Sequence, residues 1–125
     1  MSAMQRRKGQ SGERELFRIL SEQLGTVVKR RLGAAREGGC DSLDVPGWAI
    51  EVKRTEVLLA AHWNQAVRQA IETDRRAVLF WRKSRAPWWV LVAPHDVNPE
   101  VWGPGREPVR MSVQNWCELA RGLLS

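Results

Sequence analysis

A chain of 125 residues, 43% hydrophobic and 27% charged, has the makeup of one soluble globular domain, large enough for a single core and too small for two. No apolar run approaches the roughly 20 residues of a membrane-spanning helix, and the opening MSAMQRRKGQSG lacks the apolar stretch of a secretory signal. Cys40 and Cys117 make no disulfide framework, so a reducing, cytoplasmic compartment is expected. Twenty Lys and Arg against fourteen Asp and Glu give +6 and a pI near 10.3. The positives cluster at Arg6-Arg7-Lys8, Lys29-Arg30-Arg31, Lys53-Arg54, Arg75-Arg76 and Arg82-Lys83-Ser84-Arg85. Such clusters suit a polyanion, nucleic acid first and an anionic membrane surface second; a solvated basic face is the plain alternative.

In chain order, residues 1–10 read as a flexible basic arm, and 11–125 as a single domain. GERELFRILSEQL (12–24) has helical spacing, with Ser11 placed as N-cap. TVVKRRL (26–32) reads as a strand, and GAAREGGCDS (33–42) as a glycine-rich loop. Residues 43–54, LDVPGWAIEVKR, read as strand, tight turn and strand. Residues 58–73 suit a helix. AVLFWRK and WWVLVA are two further strands joined near Ser84–Pro87, and 94–108 is a loop rich in proline and glycine. Ser112 then caps a last helix, VQNWCELARGLL. The order predicts an α/β fold, a central mixed β-sheet flanked by helices.

The chemistry concentrates in 43–54. Side chains alternate along a strand. Trp48, Ile50 and Val52 therefore share one face, and Ala49, Glu51 and Lys53 the other. Pro46-Gly47 suits the centre of a type II turn. If Val45 and Trp48 flank that turn, Asp44 lies opposite Ala49 and joins the face of Glu51 and Lys53. A slip of one residue would turn Asp44 away. Asp41, three residues earlier, then becomes the alternative. Glu13 extends the inward stripe of Leu16, Phe17, Leu20 and Leu24, where it either joins the same pocket or complements the helix N-terminus. Three carboxylates together need a cation, and hard oxygen donors select Mg²⁺, with Mn²⁺ as substitute. Such an ion suits phosphodiester hydrolysis, with Lys53 stabilising charge on phosphate oxygens. The competing reading is an ordinary amphipathic strand with an exposed Glu51–Lys53 pair. His62 reads as an exposed helix residue rather than a base.

Asp44…Glu51-Val52-Lys53 resembles the signature of the PD-(D/E)xK nucleases. RKGQSGERELFRIL resembles the start of the archaeal Holliday junction resolvases, and RKSRAPWWVLV with Gln65-Ala66 resembles their small phage-encoded relatives. The likeness spans roughly residues 6–93. It implies a restriction-endonuclease-like fold and a Mg²⁺-dependent endonuclease that resolves four-way and related branched DNA as a homodimer. Host cytoplasm is the setting if the chain is phage-encoded. Same-fold nicking, repair or restriction enzymes and a non-catalytic DNA-binding module are the alternatives. The resemblance implies Glu13, Asp44 and Glu51 as metal ligands, Lys53 as the catalytic lysine and Gln65 as a polar residue near the site. It also implies Arg36 and Ser42 as DNA-backbone contacts beside Arg6, Arg7, Lys8, Lys29, Arg30, Arg31, Arg54, Arg82, Lys83 and Arg85.

Overall fold

Strands Trp48–Lys53 (β1), Arg76–Trp81 (β2), Trp89–Val92 (β3) and Val109–Met111 (β4) pair in that order into one sheet. The computed structural model describes residues 3–31, 39–105 and 107–124, without the side chains of 3–11 and 124. β1 runs parallel to β2, with Glu51 opposite Leu79 and Lys53 opposite Trp81, whereas β2–β3 and β3–β4 are antiparallel. A parallel pair needs a crossover connection, and the helix Ala60–Glu72 (α2) supplies it. The other helices are Ala3–Leu24 (α1), the short Pro94–Val97 (α3) and Val113–Leu124 (α4). The α/β fold with a central mixed sheet flanked by helices is thus the one expected.

Each face of the sheet has its own core. On one, Trp48, Ile50, Val52, Val78, Phe80, Val90 and Val92 pack against Leu16, Phe17 and Leu20 of α1 and Trp116 and Ala120 of α4. Trp116 meets Trp48 and Phe80 edge to face at 5.4 and 5.1 Å between ring centres. On the other, Ala49, Ala77, Leu79 and Leu91 pack against Trp63, Ala66 and Ala70 of α2. The small residues let α2 approach the sheet closely. The period-two alternation read in β1 therefore holds, and Glu51 lies on the α2 side.

Four expectations change. Helix α1 begins at Ala3, so residues 3–10 belong to it rather than to an arm, and Ser11 is inside it rather than at its cap. The predicted strand over 26–32 is irregular backbone over 27–31. Val28 N–H donates to Ser21 Oγ (2.9 Å) and Arg31 N–H to the Asp41 carbonyl (2.7 Å), which ties the segment down without a ladder. The hairpin over 43–54 contracts to a single antiparallel bridge between Ser42 and Ile50. Its turn survives: Trp48 N–H donates to the Val45 carbonyl at 3.1 Å, and Gly47 holds the positive φ of +85° that the turn demands. Finally, the expected loop contains α3, and strand β4 follows at Val109. Ser112 caps α4 as expected, its Oγ accepting from Asn115 N–H at 3.0 Å.

Arg75, just before β2, reaches back across the turn. Its Nη1 donates to the carbonyls of Leu43 (2.7 Å), Trp48 (3.2 Å) and Val45 (3.3 Å). Replacing it leaves three half-covered carbonyls without a charged donor. Arg75→Ala is expected to lower unfolding free energy by about 1–3 kcal/mol, read from the midpoint of a urea titration. An unchanged midpoint would show that water serves these carbonyls equally well.

Candidate active site

β1 is an edge strand, and its outward N–H groups need partners. Ile50 N–H donates to the Ser42 carbonyl at 2.9 Å. In return the Ile50 carbonyl accepts from both Asp41 N–H (2.8 Å) and Ser42 N–H (3.2 Å). Two consecutive donors on one carbonyl make a β-bulge, which inserts a residue and re-aims the side chains around it. The backbone ladder stops there. The next outward donor, Val52 N–H, is taken by the Asp41 side chain, with Oδ2 at 2.8 Å. Asp41 thus carries the pairing one step further with its carboxylate, which places that carboxylate beside Glu51.

The bridge also fixes the register. Ser42 faces Ile50, so Asp44 does not fall opposite Ala49. It is exposed instead, and its Oδ2 accepts Lys29 N–H at 2.9 Å. The alternative left open in the sequence is the one the geometry favours: Asp41, not Asp44, stands with Glu51.

Three carboxylates from three elements meet at this edge: Glu13 of α1, Asp41 of the bulge and Glu51 of β1. Asp41 and Glu51 are buried, at 8% and 4% exposure. Two basic side chains face them. Arg30 Nε lies 3.6 Å from Glu13 Oε2 and 3.8 Å from Asp41 Oδ1. Lys53 Nζ lies 3.7 Å from Glu51 Oε1. The cations under-neutralise the acids. Burial, then the Asp41 charge and hydrogen bonding with Asp41, then Glu13, push the Glu51 carboxyl up to about 8 despite Lys53. Burial and Asp41 raise Glu13 as well, against Arg30 and Lys53. Glu13 Oε2 and Glu51 Oε2 are buried and accept no hydrogen bond.

Those two orphaned oxygens and Asp41 Oδ1 are hard-oxygen donors of the type that divalent cations select. As they stand, no three acidic, histidine or cysteine side chains among the described residues are grouped to hold a metal ion. Arg30 lies between Glu13 and Asp41.

The α2 side contributes a residue the sequence reading set aside. His62 is half-buried rather than exposed, and its Nδ1 accepts Leu59 N–H at 3.1 Å. Because Nδ1 accepts, the ring's proton sits on Nε2, and burial and the charge of Lys53 lower its pKa. No sequence motif marks it; only the fold over β1 brings it near Lys53. Gln65 is half-buried three residues further along α2.

The basic residues divide. Lys29, Arg30, Lys83 and Arg85 are exposed. Arg31 is half-buried, with Nη1 on the Cys40 carbonyl at 3.4 Å. Arg54 lies across Gly12 of α1, where any Cβ would overlap its guanidinium. Arg82 is engaged in the protein, donating to Glu15 Oε2 (3.1 Å) and the Ala86 carbonyl (2.8 Å). Ser42 is fully buried in the bridge, its Oγ accepting Asp44 N–H at 3.2 Å, so it is not available to a DNA backbone. Arg36 and the side chains of Arg6, Arg7 and Lys8 lie outside the described residues.

No family model and no curated protein matches the chain. Among solved structures it is similar to Archaeoglobus fulgidus Hjc, a Holliday junction resolvase from an archaeal hyperthermophile. The TM-score is 0.53 and the identity 20%, over 90% of this chain and 99% of that one. At that identity the likeness establishes the architecture, and the chain has the restriction-endonuclease-like α/β fold of that resolvase.

Proposed function

We propose that the protein is a Mg²⁺-dependent PD-(D/E)xK endonuclease that resolves four-way and related branched DNA. The observation that carries this reading is the convergence of Glu13, Asp41, Glu51 and Lys53 at an open sheet edge, with buried carboxylate oxygens lacking donors. Glu13, Asp41 and Glu51 would hold the ion, with Mn²⁺ able to replace it. The ion supplies a polarised phosphodiester oxygen and a water of lowered pKa.

The chain's own groups do the rest. Asp41 is oriented by the Val52 N–H, so its Oδ1 stays directed into the cluster. Lys53 Nζ, held beside Glu51, is placed to donate to the scissile phosphate as negative charge builds on it. His62 Nε2–H offers a neutral donor on the same side. Lys29, Lys83 and Arg85 are exposed and would meet flanking phosphates, which give affinity and orientation without sequence reading. Symmetric cleavage across a junction requires two equivalent sites, so a two-fold homodimer belongs to the proposal.

Asp41→Asn and Glu51→Gln are each expected to reduce Mg²⁺-dependent cleavage by roughly 10²–10⁴-fold while DNA affinity stays near wild type. Asp44→Asn is expected to cut normally. A dead Asp44→Asn protein beside an active Asp41→Asn protein would overturn the site.

A labelled four-way junction compared with duplex, nicked and flap DNA tests the substrate. Preferential, symmetric cutting of the junction is expected. Equal cutting of plain duplex would point to a same-fold nicking, repair or restriction enzyme, and binding without cutting to a DNA-binding module.

The raised Glu51 pKa also sets a pH dependence. Between about 4.5 and about 8 the folded carboxyl keeps a proton that the unfolded one has lost. Its contribution to stability is therefore full below 4.5 and disappears as pH rises through 8. The metal-free protein is expected to lose melting temperature across that window, and Glu51→Gln to flatten the loss. Mg²⁺ binding near pH 7 is expected to release a proton, detectable as a buffer-dependent heat. A pH-independent melting temperature in both proteins would contradict the burial argument.

A further inference from the structure

Arg30 occupies an unusual position for a DNA-facing residue. Its Nε touches two carboxylate oxygens, Glu13 Oε2 and Asp41 Oδ1, at 3.6 and 3.8 Å, and its side chain is still 41% exposed. Both contacts are ion pairs without a close hydrogen bond. Each is weak enough to be given up. The oxygens it faces are not the one that the β1 backbone holds. Asp41 Oδ2 is engaged by Val52 N–H, whereas Oδ1 faces Arg30, and Glu13 Oε2 is buried with no hydrogen bond. A nearly buried Glu51, with Oε2 also orphaned, adds a further acceptor to the same cluster. On the other side, Arg30 borders a groove of about 410 Å³ lined by Glu13, Arg14, Phe17 and Lys29. Three of the five lining side chains are basic, so the groove suits a phosphodiester running past the acids.

We propose that Arg30 is an exchangeable counter-ion: it neutralises Glu13 and Asp41 until a divalent cation replaces it, and it is then released to a DNA phosphate in the adjoining groove. This rests on the metal-dependent nuclease reading and deepens it. Without a metal, Arg30 limits repulsion between the acids, and it also lowers their affinity for a divalent ion. DNA that draws Arg30 into the groove uncovers the carboxylates. Metal that expels Arg30 supplies the groove with a guanidinium. By linkage the two effects are equal, so metal and DNA each strengthen the binding of the other.

Ca²⁺ titration of the free protein by calorimetry tests the exchange without any cleavage step. The neighbouring Lys29 controls for simple charge, because it lies on the same segment and no carboxylate of the cluster pairs with its side chain. Arg30→Gln is expected to tighten Ca²⁺ binding roughly three- to tenfold. Lys29→Gln, whose charge is exposed and screened, is expected to change it less than about twofold. Fluorescence anisotropy of a labelled junction in EDTA and in Ca²⁺ reads the other half. Ca²⁺ is expected to strengthen wild-type binding by about fivefold or more, with a smaller gain for Arg30→Gln. Equal Ca²⁺ shifts in the two variants, or an undiminished gain in Arg30→Gln, would overturn the exchange and leave the nuclease reading standing. A wild-type protein that binds no Ca²⁺ or Mg²⁺ would overturn both.

Discussion

The Asp41 carboxylate and the Val52 N–H hold the site together. An edge strand leaves every second N–H facing outward. Along β1 the Trp48 N–H finds the Val45 carbonyl, Ile50 N–H the Ser42 carbonyl and Val52 N–H the Asp41 Oδ2. One hydrogen bond therefore does two things: it satisfies a buried backbone donor and fixes a carboxylate beside Glu51 on a strand embedded in the core. Everything else in the cluster responds to that placement. Glu51 is driven toward its neutral form, Lys53 and Arg30 are drawn inward, and Glu13 closes the group from the first turns of α1 that carry described side chains.

The site also depends on the asymmetry of the two sheet faces. The α1/α4 face is packed with tryptophan, phenylalanine and branched side chains around Trp116. The α2 face is built on alanines at 49, 66, 70 and 77. Large residues anchor β1 from one side, and small ones on the other let α2 sit close enough to bury Glu51 and bring His62 near Lys53. A rigid strand is a better platform than a loop for charged groups whose spacing matters.

Much of this was legible in the chain. The alternation of Trp48, Ile50 and Val52 against Glu51 and Lys53 is a local pattern with period two, and the strand obeys it because one face must be buried. Glu13 is legible for the same reason, as a carboxylate continuing an apolar helical stripe. The choice between Asp44 and Asp41 is not local. It turns on a bulge at 41–42, and a bulge arises from which N–H groups the partner strand can satisfy, a tertiary matter. The Pro46-Gly47 turn is real, yet it governs only the four residues around it and cannot fix register past an inserted residue. The strand expected at 26–32 has apolar and basic residues in a plausible order, but Ser21, Asp44 and Asp41 take up the N–H groups of Val28, Lys29 and Arg31, and among the described residues no strand pairs with it. The start of α1 is not legible from apolar periodicity: arginine, lysine and glutamine favour a helix, but residues 3–10 carry no apolar stripe and Gly9 interrupts them.

A cluster of three acids, two of them buried, lowers the stability of the fold that carries it, since each like-charged neighbour makes ionisation harder and leaves acceptors unpaired. A strand of the same sheet with Val in place of Glu51 would bury the position without that penalty. The arrangement is therefore more naturally read as a binding feature than as a packing one. The orphaned Glu51 Oε2 points the same way, because a purely structural arrangement would have given it a donor from within the chain. Arg30 shows the compromise. It is close enough to blunt the repulsion between Glu13 and Asp41 and too distant to hydrogen-bond either. A more tightly held arginine would stabilise the apo fold further, and it would also close the cluster to any other cation.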